Sequence, residues 1–110
     1  MRMNKMRKVV AILALSMVLV VGVSAKDIKI AVAAPMTGDF AEYGIGFRNA
    51  VQLMVDEWNE KGGVLGQKIR VVAFDDKNSG EEGANVAEKI ISDRDIVAVI
   101  GHFASGVCLV

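Results

Sequence analysis

The chain has 110 residues, a hydrophobic fraction of 53%, a single cysteine, and 13 basic residues balanced by 13 acidic ones. Four of the basic residues lie within the first eight positions, so residues 26–110 carry 9 basic and 13 acidic side chains, a net charge of −4. This composition gives no reason to expect nucleic acid or an anionic membrane as a partner. The lone Cys108 excludes a disulfide within the chain.

The first 25 residues have the pattern of a secretory signal peptide. Basic residues come first, residues 9–21 are apolar apart from Ser16, and small residues at 23–25 offer a cleavage site. The apolar run is about half the length of a membrane span, and the alternative is a short uncleaved anchor. We expect cleavage after Ala25, leaving an exported chain of residues 26–110 with one modest core and no stable membrane insertion.

Three segments rich in Ile and Val are predicted as strands, at residues 28–34, 68–74 and 96–100. The third is continuously apolar, which is typical of a strand covered on both faces.

The segments between the strands have helical periodicity. The first helix is predicted from Gly46, after a loop at 36–43, and is ended by Gly62 and Gly63. Its apolar residues recur on one face, which places Trp58 in the core; they are Phe47, Ala50, Val51, Met54, Val55 and Trp58. The second helix follows Ser79, which forms a capping-box pattern with Glu82, and a third helix is predicted to begin at Gly106.

The order β-α-β-α-β predicts a doubly wound α/β fold with a parallel sheet. Ligands bind such sheets beyond the carboxyl ends of the strands, where neighbouring connections leave on opposite faces. Those ends correspond to the loops 35–43, 75–80 and 101–106. If the first strand lies between the other two, function is expected between the first and third loops.

The loop G-H-F-A-S-G at 101–106 lacks the Lys and Ser or Thr of a phosphate-binding P-loop, and no G-x-G-x-x-G follows the first strand. A nucleotide site, and with it a nucleotide-binding half of an enzyme, is therefore poorly supported. Ser105 stands where a helix begins, beside unpaired amides that suit a carboxylate. The alternative is that Ser105 simply caps the helix.

Asp75 and Asp76 are adjacent on a strand, so their side chains are expected on opposite faces, which is poor geometry for binding one metal ion. We expect them instead to form the local hydrogen bonds of a turn. His102 has no recognisable base or nucleophile beside it and is expected to be a packed or hydrogen-bonded loop residue. Tyr43 lies near the same edge, either in a pocket or closing the core. No catalytic constellation can be assembled, so we expect no enzyme activity, no metal and no cofactor.

Taken in order, these motifs resemble one family, the periplasmic branched-chain amino-acid-binding proteins that serve ABC importers. The matching features are P-M-T-G after the first strand, A-E-Y-G, N-E-K-G-G-V-L-G-Q-K, D-D after the second strand, and V-I-G-H followed by Ser after the third. The resemblance covers residues 26–110 and agrees with the predicted export signal.

The resemblance implies a periplasmic, two-lobed α/β protein that closes over an amino acid such as Leu, Ile or Val and delivers it to a membrane permease. It implies that Ser105 and nearby amides bind the ligand carboxylate, with Phe103 and Ala104 in the same loop. It also implies that Tyr43 lines the pocket for the ligand side chain. Some members join two of these loops by a disulfide, for which this chain has no cysteines.

The resemblance also implies that this chain corresponds to only the opening part of the first lobe. The simplest expectation is a piece of a longer protein, whose third strand would here be an open apolar edge. A sensory or receptor domain of the same fold is the main alternative to an importer component.

Overall fold

The computed structural model describes residues 25–110, so the predicted signal peptide, apart from Ala25, lies outside the described residues. Three strands alternate with three helices. The elements are β1 (Ile28–Ala34), α1 (Ala41–Glu60), β2 (Ile69–Asp75), α2 (Gly80–Ser92), β3 (Ile96–Gly101) and α3 (Ser105–Cys108).

The strands form one parallel sheet in the order β2-β1-β3, which confirms the predicted fold class. The first strand lies between the other two, so the condition under which function was expected between the first and third loops is met. Val32 in β1 pairs with Ala73 on one side and with Ile100 on the other. A register irregularity between Lys29 and Ile30 interrupts the pairing with β3. The carboxyl ends of all three strands therefore meet at one edge of the sheet.

The face of the sheet that carries α2 holds the compact core. Ala31 and Ala33 of β1 are fully buried against Val86 and Ile90 of α2, and Phe74 and Ile96 pack around them. These β1 residues alternate with Val32 and Ala34, which are also fully buried. Burial on both sides is what the apolar sequence of a central parallel strand predicts.

The other face is covered less completely. A groove of about 420 Å³ lies between α1 and the sheet, and Trp58 and Met54 on α1 are 51% and 54% exposed. The groove is lined by Ile30, Phe47, Ala50, Val51, Met54, Val55, Trp58, Val64, Ile69 and Ile100. The prediction that Trp58 belongs to the core is therefore wrong for residues 25–110. The helix packs over β1 and β2 and leaves this side of β3 open.

On both faces β3 is covered less than its neighbours, because α1 and α2 each pack mainly on β1 and β2. Val97 and Val99 are exposed, so the expectation of a strand covered on both faces is wrong within the described residues. Along its outer edge β3 has no neighbouring strand in that part of the chain. The expected open apolar edge is thus what the structure shows.

Helix α1 begins five residues earlier than predicted. Its first turn starts where the amide of Ala41 donates to the carbonyl of Gly38 at 3.1 Å. Gly44 and Gly46, both poor helix formers, concealed this turn in the sequence. The C-terminal end is as predicted, because Gly62 and Gly63 adopt positive φ angles of 104° and 78° and donate to carbonyls of the last turn.

Helix α2 begins directly after Ser79, but the predicted capping box does not form. Ser79 occupies the cap position without a side-chain hydrogen bond. The Glu82 carboxylate lies 3.2 Å from the Lys77 ammonium instead, so the acid that would complete the box is paired outside the helix. The position of the helix was predicted correctly and its capping contacts were not.

Candidate ligand site at the carboxyl edge of the sheet

Two aromatic rings mark the carboxyl edge between β1 and β3. Tyr43 lies in the first turn of α1 rather than at the end of a loop, and Phe103 follows β3. The two rings stack with centroids 5.4 Å apart and planes 20° apart. They are 58% and 45% exposed, so the stack presents a large apolar surface outward.

Phe40 extends this stack and was not identified from the sequence. Its ring centroid lies 6.3 Å from that of Tyr43, with an interplanar angle of 38°. Phe40 occupies the cap position of α1, three residues before Tyr43. Recognising the true start of α1 would have placed the two rings one helical turn apart and indicated the contact.

Ser105 is the first residue of α3, and the cap position belongs to Ala104. No side-chain hydrogen bond caps this helix, so the alternative that Ser105 is simply the cap is not what the structure shows. Ser105 is exposed, and its hydroxyl has no hydrogen-bond partner among residues 25–110. Ala104 is half-buried beside it. Ser105 therefore has an exposed hydroxyl two residues after Phe103 in the chain.

Asp75 holds the loop between β1 and α1. One carboxylate oxygen accepts from the amides of Met36 and Lys77 at 2.8 and 2.9 Å, and the other from the Thr37 hydroxyl at 2.6 Å. Desolvation raises the pKa of this carboxyl, but the hydrogen bonds from Thr37, Met36 and Lys77 outweigh it and leave the pKa below its ordinary value. This is the turn chemistry that the sequence predicted.

Asp76, the next residue, is fully buried. One oxygen accepts from the Asn78 amide at 2.9 Å, and the other lies 2.7 Å from Nδ1 of His102. His102 is thus a hydrogen-bonded loop residue, as expected, but its partner was not foreseen. Parallel pairing brings the carboxyl ends of β2 and β3 to one edge of the sheet, but it does not specify which loop side chains meet there.

The groups at this edge suit binding better than catalysis. Aromatic surface, an exposed hydroxyl and loops held by hydrogen bonds are present, but among residues 25–110 no nucleophile is paired with a base. Within residues 25–110 no cluster of three or more His, Cys, Asp or Glu side chains has the geometry to hold a metal. No helix in that part of the chain is long and apolar enough to cross a membrane.

Comparison with curated proteins finds relatives named for the ligands that the resemblance indicated. The Leu/Ile/Val-binding protein BraC3 of Rhizobium johnstonii is 41% identical over 83 residues, covering 76% of this chain and 22% of that protein. The Leu/Ile/Val-binding protein of Escherichia coli is 38% identical over 81 residues, covering 74% of this chain and 22% of that protein. The chain thus spans less than a quarter of the length of these relatives.

A solved structure agrees with the sequence comparison. The branched-chain amino acid transporter substrate-binding protein LivJ from Streptococcus pneumoniae, in complex with isoleucine, matches with a TM-score of 0.69 and 35% identity. The match covers 74% of this chain and 24% of that one.

A family profile described as periplasmic binding protein matches residues 27–110, nearly all of the described chain. Members of this family bind ligands and are not enzymes, so the nucleotide-binding enzyme considered above is set aside. The chain belongs to the periplasmic binding protein family.

Proposed function

We propose that this chain forms part of the first lobe of a substrate-binding component of an ABC importer for branched-chain or related amino acids. The observation that carries the proposal is the exposed stack of Tyr43 on Phe103, which is two residues before Ser105 in the chain. It lies at the edge between β1 and β3, where α1 packs directly on the sheet and α3 packs against α2. Ligands bind at this point in open α/β sheets.

The aromatic stack supplies the apolar part of the site. Moving an aliphatic side chain from water onto an aromatic surface is favourable, and it stabilises the complex by about 25 cal/mol for each Å² of apolar area buried. Tyr43 and Phe103 are held by different elements, α1 and the loop after β3, so a side chain placed against both would contact two parts of the lobe. This arrangement supports a ligand with a branched aliphatic group.

Ser105 supplies the polar part. Its hydroxyl and the amides of Ser105 and Gly106 are suited to the ligand α-carboxylate, whereas the amides of Val107 and Cys108 already donate to the carbonyl of Ala104. Phe103 and Ala104 bring the backbone of the same loop to that position. The isoleucine complex of LivJ supports this ligand class, because that protein is 35% identical to this chain in a match that covers 74% of it.

The binding proposal is tested by calorimetry on the complete product of the gene, purified free of ligand. Titration with leucine, isoleucine, valine and a small amide should give heat for at least one of them. Ser105→Ala should weaken binding by about 1–3 kcal/mol, the range for a hydrogen bond to a charged group.

Ser92→Ala is the matched control, because the Ser92 hydroxyl only bonds the Glu88 carbonyl at the far end of α2. It should bind as the wild-type protein does. Absence of heat with every ligand contradicts the proposed function. Unchanged affinity in Ser105→Ala removes Ser105 from the site and leaves the ligand class standing.

The importer role and the cellular location are tested in cells. We propose export to the periplasm with cleavage after Ala25 and delivery of the ligand to an inner-membrane permease. Mass spectrometry of the periplasmic fraction should find a chain beginning at Lys26, and deletion of the gene should abolish uptake of the bound amino acid. Normal uptake combined with loss of an amino-acid-dependent response would favour the sensory alternative.

A further inference from the structure

The pairing of Asp76 with His102 joins two loops that are not neighbours in the sheet. Asp76 follows β2 and His102 follows β3, with β1 between those strands. The carboxylate oxygen and Nδ1 lie 2.7 Å apart, with Asp76 fully buried and the His102 side chain 14% exposed. A carboxylate only accepts hydrogen bonds, so with Asp76 in that form Nδ1 of His102 is the donor in this pair.

Asp76 itself is fixed at every polar group. Its amide donates to the carbonyl of Ala34 at 3.3 Å, and its own carbonyl accepts from Ser79 at 2.9 Å. Its second carboxylate oxygen accepts from Asn78. These hydrogen bonds hold the Asp76 carboxylate in a fixed position relative to the sheet, and His102 hydrogen-bonds to it there.

His102 is also held from two helices. An added Cβ at Gly83 of α2 would lie 3.7 Å from Cε1 of His102 and would overlap Val107 of α3, so the imidazole and α3 pack where Gly83 has no side chain. The thiol of Cys108 donates to the His102 carbonyl at 3.4 Å. The residue after His102 is Phe103, which stacks on Tyr43.

We propose that His102 is a positioning residue: by donating from Nδ1 to buried Asp76, it holds the loop 102–104 so that Phe103 and Ser105 are presented at the ligand site. The inference rests on the proposed function for its effect on affinity. Its effect on the loop itself does not depend on which ligand binds. His102 acts through its neighbours, and no contact between its own ring and the ligand is required.

Two variants separate the hydrogen bond from the bulk of the ring. His102→Asn keeps an N–H donor on the atom attached to Cγ, where Nδ1 stands, whereas His102→Leu keeps apolar volume and leaves Asp76 without that donor. Removing a partner from a buried charged group is costly, so His102→Leu should lower leucine affinity about 10-fold or more. His102→Asn should stay within about threefold of the wild-type protein.

Hydrogen exchange on the ligand-free complete gene product gives a readout that is independent of leucine. His102→Leu should raise the exchange rates of amides in 102–106 several-fold, while those in 93–97 stay unchanged, and His102→Asn should restore protection. If the wild-type protein binds no amino acid, the proposed function fails while this measurement still tests the positioning role.

Asn59→Leu is the control for general destabilisation. The Asn59 side chain forms two hydrogen bonds of 2.8 Å with the backbone amide and carbonyl of Ile69, at the opposite end of the sheet. Loss of these bonds should lower stability without changing leucine affinity. Equal affinity loss in Asn59→Leu and His102→Leu at matched stability would overturn the proposal. So would unchanged loop exchange in His102→Leu, or an Asn variant as impaired as the Leu variant.

The wild-type protein supplies a measurement that needs no variant to fold. Two-bond ¹H–¹⁵N NMR spectra of the imidazole should show a proton on Nδ1 of His102. A ring protonated on Nε2 alone would contradict donation from His102 to Asp76.

Discussion

Aspartate side chains hold both ends of the sheet, but the two ends differ in the groups that remain exposed to a ligand. At the amino end, Lys29 lies 2.8 Å from Asp93 and 3.7 Å from Asp95, and Lys26 lies 2.6 Å from Asp95. These are partly exposed ion pairs between neighbouring chain segments. At the carboxyl end, Asp75 and Asp76 bind amides, a hydroxyl and an imidazole from separate loops.

The charges at the amino end satisfy each other. The hydrogen bond to Asp93 raises the pKa of Lys29, and the same bond lowers the pKa of Asp93. Ammonium and carboxylate groups paired in this way have little left to offer a ligand. Asp75 and Asp76 instead hydrogen-bond to groups of the neighbouring loops. Tyr43, Phe103 and Ser105 remain exposed at the same edge. The comparison indicates that an acid at a strand end can serve a site by placing its neighbours rather than by touching the ligand.

The largest expected effect tests how closely the carboxyl end is packed. A Cβ at Gly44 would overlap the carbonyl oxygen of Pro35, whereas a Cβ at Gly46 meets nothing within 4 Å. Gly44→Ala must therefore push α1 away from the end of β1, at a cost of about 3 kcal/mol. Gly46→Ala in the same helix should stabilise by about 0.5–1 kcal/mol, because alanine favours the helix.

Urea unfolding of the complete gene product measures both alanine variants. The same substitution two residues apart in one helix makes each variant the control for the other. Equal changes in the free energy of unfolding would show that the end of β1 is looser than the contact between Pro35 and Gly44 implies.

A smaller effect is expected from Asp75→Asn. The substitution removes the charge that strengthens the hydrogen bonds from Met36, Thr37 and Lys77, which should cost about 1 kcal/mol at neutral pH. The folded-state pKa of Asp75 lies below its ordinary value of 3.8, so its contribution is present above pH 3.8 and is lost as the pH falls through the folded value.

The pH dependence separates charge from shape in this variant. The difference in unfolding free energy between the wild-type protein and Asp75→Asn should be constant at neutral pH and shrink as the pH falls below 3.8. Urea unfolding across that range measures it. A difference that does not change with pH would assign the cost to the altered shape of the side chain.

The sequence predicted the carboxyl edge well in outline, for a physical reason. Alternating apolar strands and helical faces specify the β-α-β-α-β order, and parallel strands bring their carboxyl ends together whatever the loops contain. Ser105 and Tyr43 were placed near one edge on that basis alone. The stack of Tyr43 on Phe103 was not predicted, because it depends on where α1 begins, and Gly44 and Gly46 concealed that start.

The pairing of His102 with Asp76 was missed for a different reason. The two residues are 26 positions apart, and β1 separates their strands in the sheet. Periodicity reports which face a residue occupies and does not report which loop folds back over which strand end. The exposure of Trp58 was missed because a helical apolar face predicts burial without saying whether its partner lies within residues 25–110.

The smallest expected effect belongs to the amino end. Lys29→Gln removes the ammonium that pairs with Asp93 and Asp95, and partly exposed pairs contribute little, so the unfolding midpoint should fall only slightly at low salt. Raising the salt from about 0.05 M to about 0.5 M shortens the screening length severalfold and should shrink this difference further.

The cost of Asp75→Asn should change less, because that carboxylate is held mainly by short hydrogen bonds to neutral groups. Urea unfolding of both variants at the two salt concentrations decides the matter. An equal response to salt would mean that the two ends of the sheet are fastened by the same long-range electrostatics, and that the contrast between them is one of position only.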